Sequence, residues 1–295
     1  MAHPQCLALD DVTDRGRRAC SGVLLVALIS ACSPASKDGA SDDGSGHAGS
    51  AAGNGGSTGS TDADADARWL KYIRGDEYSR LELEVDAVAG LEPKGGASAP
   101  VLAALGRSID KSGGIALRAD GELAAHAEDF VWTFAELSAL AQRTFEDRSD
   151  SRVSIHMLFV DGHYEDDGAS GVVLGLAWDH RHIALFKDNI TRACNSRSTL
   201  GLLDPAACQR VEAAVWLHEV GHVLGLVDNG LPMVANHRDP DPAHGRHDAD
   251  PACVMYWAYD GDAAVDAVLS NLVGGREQLD YCQTNLDDID AVKDE

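Results

Sequence analysis

Between Ala213 and Asp228 the chain places two histidines and a glutamate inside a run that is otherwise almost wholly apolar. Such a run reads as a buried helix, because a helix lying on a surface shows a polar stripe along one side. Imidazoles and a carboxylate buried without partners cost several kcal/mol, roughly, so the fold must supply something that satisfies them. His218-Glu219-x-x-His222 puts the two histidines one helical turn apart on the same face. That is the spacing a zinc ion requires, with the glutamate beside it as a base.

The helix is expected to start at Asp204-Pro205, with Pro205 at its first position, and to stop at Gly225, a residue suited to the left-handed turn that ends a helix. Doubling back there would carry Asp228 toward the two histidines as a candidate third ligand. The extended pattern is then His218-Glu219-x-x-His222-x-x-Gly225-x-x-Asp228. It resembles the metzincin clan of zinc metallopeptidases, whose helix ends at a glycine so that a third ligand closes the site. Most members carry histidine where this chain has Asp228, and the snapalysin-like members carry aspartate.

The resemblance implies a zinc endopeptidase in which His218, His222 and Asp228 hold Zn2+ and Glu219 acts as general base on a metal-activated water. It also implies a methionine turn beneath the metal, for which Met255 in Cys253-Val254-Met255-Tyr256-Trp257 is the match. Tyr256 or Tyr259 is placed by order in the chain to support an oxyanion, and Gly171 to Trp178 to pair with a peptide substrate. The loop from Asn236 to Asp248 holds His237, His244 and His247, any of which is an alternative third ligand. A non-catalytic surface lipoprotein binding metal or peptide is the competing reading, which the presence of Glu219 disfavours.

The strands and helices before this region are expected to form an α+β domain with a mixed or antiparallel-edged sheet. Leu81, Leu83 and Val85 alternate with Glu82, Glu84 and Asp86, as in a half-buried strand. Ile115 to Arg118 reads as a second strand, and Ser98 to Ile109 as a short helix between them. Thr133 and Glu136 have capping-box spacing ahead of Leu137, Leu140 and Ala141. Val153 to Phe159 alternates again, and Val172 to Trp178 with His182 to Phe186 flanks Asp179-His180-Arg181 as a β-hairpin or a pair of neighbouring strands.

The N-terminal segment reads as targeting sequence rather than structure. Arg15, Arg17 and Arg18 precede an apolar stretch, and Leu28-Ile29-Ser30-Ala31-Cys32 resembles a bacterial lipobox, which implies lipid on Cys32. Residues 1–32 are thus expected to be a lipoprotein signal, 33–67 a disordered Ser/Gly/Asp-rich tether, and 68–295 the peptidase domain. The expected location is outside the cytoplasm, anchored to the cell envelope or secreted. A formal net charge of -24 argues against nucleic acid as a partner, since phosphate binding needs clustered Lys and Arg. Of seven cysteines, four fall within the domain, and in an exported protein they suggest two disulfides. Cys194 with Cys208 and Cys253 with Cys282 are the pairings that close local loops.

Overall fold

A computed structural model describes residues 62–127, 129–148, 151–168, 171–198, 205–261, 263–274 and 280–293. The stretch expected to be a signal, Cys32 and most of the expected tether lie outside the described residues. Helix α1 spans Asp62–Ile73, so it begins inside the stretch expected to be tether. After it come β1 (Arg80–Val88), α2 (Ser98–Ser108), β2 (Ile115–Leu123), β3 (Val131–Trp132), α3 (Phe134–Thr144), β4 (Arg152–Val160) and β5 (His163–Tyr164). The chain continues through β6 (Gly175–Trp178), β7 (His182–Phe186), α4 (Lys187–Ser198), α5 (Pro205–Val223), α6 (Ala264–Val273) and α7 (Gln283–Lys293). No helix among the described residues is long and apolar enough to cross a membrane.

The architecture is mixed α/β. Five strands form one sheet in the order β2-β1-β4-β7-β6, and β3 pairs with β5 separately. Neighbours from β2 to β7 run parallel, while β6 is an antiparallel edge strand joined to β7 by a hairpin. Its turn has Asp179 and His180 both at φ 52°, with Arg181 N–H donating to the Trp178 carbonyl. Two successive positive φ angles define the turn type whose twist suits a hairpin.

Both faces of the parallel strands are covered, as such sheets require. On one face Leu81, Leu83, Val85, Ile155, Met157 and Leu185 pack with Val211, Val215 and Trp216 of α5. On the other, Leu158, Val160, Ala184 and Phe186 pack with Leu137, Leu140 and Ala141 of α3. The capping box that starts α3 is complete: Glu136 N–H donates to Thr133 Oγ1, and Thr133 N–H donates to Glu136 Oε2.

Strand β1 corrects the half-buried reading, because its polar positions are buried too. Strand β2 supplies Arg118 at the position opposite Glu84, and β4 supplies His156 on the other side. Arg118 reaches Glu82 at 2.8 Å and Glu84 at 3.0 Å, while His156 Nε2 lies 2.9 Å from Asp86 and its Nδ1 lies 3.1 Å from His182. The alternation therefore marks two environments inside the molecule, one apolar and one of compensated charge.

Helix α5 is buried continuously from Val211 to Val223. A fully buried large aliphatic side chain contributes about 1.5–3 kcal/mol, so a few of them outweigh the roughly 1 kcal/mol helix penalty of Gly221. Early in α5, Glu212 accepts from Lys187 Nζ at 2.6 Å and from the Lys94 main chain at 2.6 Å, which pairs a buried carboxylate with a buried ammonium. The helix ends as expected. Gly225 adopts φ 85°, with Leu226 N–H on the Gly221 carbonyl and Gly225 N–H on the His222 carbonyl, the paired bonds of a Schellman stop.

Cys253 and Cys282 form a disulfide, which ties the turn containing Met255 to the start of α7. The other expected bridge is absent. Cys194 and Cys208 are free thiols that hydrogen-bond to one another, so α4 and α5 bring them into contact without joining them. Burial, and then Cys208 itself, push the Cys194 thiol up.

Candidate metal centre

Helix α5 presents His218 and His222 on one face, and their Nε2 atoms lie 3.1 Å apart. A third imidazole completes the group: His247 Nε2 lies 3.1 Å from His222 Nε2. It arrives from the loop between α5 and Met255. That loop is held by a short antiparallel contact between Arg238 and Asp248, and by Asp248 N–H donating to the Met255 carbonyl at 2.8 Å. The fourth member is Asp260, at the end of a short 3-10 turn (Trp257–Asp260), with Oδ1 2.8 Å from His218 Nε2 and Oδ2 2.9 Å from His247 Nε2. The four ligand atoms all lie within 4.8 Å of one another.

The hydrogen bonds on the far side of two rings show what this group is built to hold. His218 Nδ1–H donates to the Val254 carbonyl at 2.7 Å, and His247 Nδ1–H donates to the His244 carbonyl. With Nδ1 turned to a carbonyl, each ring presents Nε2 to the centre of the group. Burial, then His218 and His247, hold the His222 imidazole well below the ordinary histidine range. A neutral ring is the form that binds a metal. The nitrogen separations are of the order two ligands adopt when each is ~2.0–2.1 Å from one zinc. The residues fit a metal ion on donor type, tautomer and spacing.

Asp228 is not in this group. Val227 and Asp228 follow Gly225 with φ of 55° and 59°, and the Asp228 carboxylate is on the surface, 3.4 Å from the Arg238 guanidinium and 53% exposed. The helix stop turns the chain as expected, but two further left-handed residues carry the aspartate outward. Of the three loop histidines only His247 joins the cluster. His244 stacks on Trp257 at 4.1 Å, and His237 bridges Asp248 at 2.6 Å and Asp288 at 2.8 Å.

Burial disfavours charge on His237, yet Asp248 and Asp288 overcome it and raise the imidazole to about 9. Because the folded value lies above the ordinary one of 6.5, this bridge stabilises the fold fully below about pH 6.5 and is lost as pH rises through about 9. The melting temperature is expected to fall across that window, and to fall less steeply in His237→Gln. Equal slopes in the two proteins would show that the bridge does not anchor the loop.

Glu219 lies beside the histidines with Oε1 buried and lacking a hydrogen-bond partner. Burial and then Asp260 raise its carboxyl well above the usual range. Opposite it is Gly175, the first residue of edge strand β6, where a Cβ would come within 2.5 Å of Glu219 Oε1. Met255 is fully buried and packs against Gly221, which lies between His218 and His222 in the sequence of α5. Tyr259 is buried, with its hydroxyl accepting from Asn271 Nδ2 at 3.0 Å, and burial raises it to about 12. Tyr256 is half-buried and packs on Trp257.

Two residues of this site were not singled out from sequence as members. Asp260 has no spacing rule that marks it, and Gly175 is visible only through its neighbour in space. Two other groups among the described residues have metal-ligand composition. Glu84, Asp86 and His156 already face Arg118 and His182, and in the group Asp248, Cys253, Cys282 the two sulfurs are bonded to each other.

Fold and site together define a class: a mixed α/β domain whose buried helix and Met255 turn bring histidines and an aspartate into a group able to bind a metal ion. No family model and no curated protein sequence matches the chain. Among solved structures it is similar to the crystal structure of archaemetzincin from Methanopyrus kandleri, with 16% identity, a TM-score of 0.44, and coverage of 72% of this chain and 96% of that one.

Proposed function

We propose that this chain is a zinc-dependent endopeptidase in which His218, His222 and His247 hold the metal and Glu219 is the general base. The observation that carries the reading is the convergence of three buried imidazole Nε2 atoms next to a buried, unpartnered carboxylate. Zinc, when bound, supplies an acidified water and polarises the scissile carbonyl. The protein supplies the rest. The Val254 and His244 carbonyls accept from Nδ1–H of His218 and His247 and orient their Nε2 atoms, and the packing of Met255 on Gly221 supports its role as the methionine turn.

Glu219 takes the water proton on its carboxylate and returns it to the leaving amine. Burial and then the Asp260 charge raise its proton affinity, which favours the first of these transfers. Strand β6 is the sheet edge adjoining Glu219 through Gly175, which supports its role as the strand that pairs with a peptide backbone. The lipobox-like sequence ending at Cys32 supports export and anchoring of the domain at a membrane, and the acidic net charge supports a protein rather than a nucleic-acid partner.

Dialysis against a chelator is expected to stop cleavage of a mixed peptide library, and one equivalent of zinc to restore it. Cleavage that persists undiminished after metal removal, with zinc absent by mass spectrometry, would overturn the proposal.

A further inference from the structure

Asp260 adds a fourth metal-ligand side chain to a cluster of three imidazoles. Catalytic zinc sites typically hold three protein ligands and leave the fourth place to water or substrate, whereas structural sites fill all four. Three imidazoles already converge here. The Asp260 carboxylate then spans two of them, touching His218 Nε2 with one oxygen and His247 Nε2 with the other. The histidine side chains are at most a few percent exposed where these bonds form, at 0% for His218 and 3% for His247, whereas Asp260 is 35% exposed. Asp260 is therefore the most exposed member of the group.

Its backbone is attached to the neighbouring sheet edge. Leu174 N–H donates to the Asp260 carbonyl at 3.0 Å, and Val173 pairs with Gly261. These are the residues that lead directly into β6 and Gly175. The carboxylate over the metal site and the strand beside the base are thus parts of one hydrogen-bonded unit.

We propose that Asp260 is a fourth protein ligand that closes the metal centre in the resting protein, so that an incoming anionic or carbonyl ligand must displace it. The inference rests on the three-histidine reading above. It goes further in stating that the free protein is shut, and in naming the side chain that shuts it. A carboxylate suits the part: it is a hard, anionic oxygen donor, and displacement returns it to water, where it is well solvated.

The test uses the full chain loaded with cobalt(II), whose visible absorption reports coordination number, and azide as the probe ligand. Asp260→Ala and the isosteric Asp260→Asn are compared with the unaltered protein. Azide is expected to perturb the spectrum of either variant at a concentration at least about 10-fold lower than in the unaltered protein, and zinc affinity by chelator competition is expected to fall by about 10-fold or more. Unchanged azide response together with unchanged zinc affinity in both variants would overturn the proposal. His247→Ala distinguishes the two levels of the argument. If it abolishes cobalt binding while the Asp260 variants behave like the unaltered protein, only the closure fails; if it leaves the cobalt spectrum intact, the three-histidine reading fails first.

Discussion

His247→Ala is expected to lose zinc and with it hydrolysis, whereas Asp228→Ala keeps both. The motif alone points to the reverse, because Asp228 occupies the place where metzincin-like sequences carry their third ligand. The geometry separates the two residues. His247 Nε2 lies 3.1 Å from His222 Nε2 inside a buried cluster, and the Asp228 carboxylate is 53% exposed beside Arg238. Removing a ligand should weaken zinc binding by more than the 10–100-fold, roughly, that follows loss of an outer-shell partner. Removing an exposed ion pair should cost at most about 1 kcal/mol of stability. Zinc content after dialysis, measured on both variants alongside circular dichroism, decides the matter. Zinc retained by folded His247→Ala and lost from Asp228→Ala would reinstate the aspartate.

The helix that organises the site was legible because every level of the sequence agreed about it. Pro205 at its start, continuous apolar residues through its middle and Gly225 at its end all appear in the structure in those roles. The α3 capping box was legible for the same reason, since Thr133 and Glu136 satisfy each other's backbone locally. The hairpin of β6 and β7 was legible from its polar turn, although the strand starts at Gly175 rather than Val172.

What the sequence hid was decided by distant partners. Glu84 and Asp86 look solvent-facing until Arg118 and His156 arrive from neighbouring strands to compensate them. The third histidine was visible only as one of three in a loop. His237 and His244 are each given another task by residues remote in sequence, Asp288 and Trp257, and nothing local distinguishes them from His247. Helix α1 begins at Asp62 within a stretch whose composition alone reads as tether, and Trp69 near its end packs against Gly225 and Gly230 after the α5 stop. That contact, like the Cys253–Cys282 link to α7, uses tertiary structure to fix the chain beyond α5.

Glu219→Gln should keep the metal and lose the reaction. The amide is nearly isosteric with the carboxyl but cannot accept a proton, and general base catalysis contributes about 10²–10⁴-fold in rate. Zinc content should be unchanged, because Glu219 is not one of the grouped side chains of His218, His222, His247 and Asp260. Gly175→Ala approaches the same group from the opposite wall. A Cβ there would come within 2.5 Å of Oε1 and within 2.7 Å of Cγ of Glu219, so the carboxyl must move. A displacement of about 1 Å at a reacting group can cost on the order of 10²-fold in rate. The two variants differ in what survives: Gly175→Ala retains a titratable base in the wrong place, so kcat falls but its pH profile still shows one ascending limb, while Glu219→Gln loses that limb altogether. Full activity in Glu219→Gln would remove the base from the mechanism. Full activity in Gly175→Ala would show that β6 does not hold Glu219 in position.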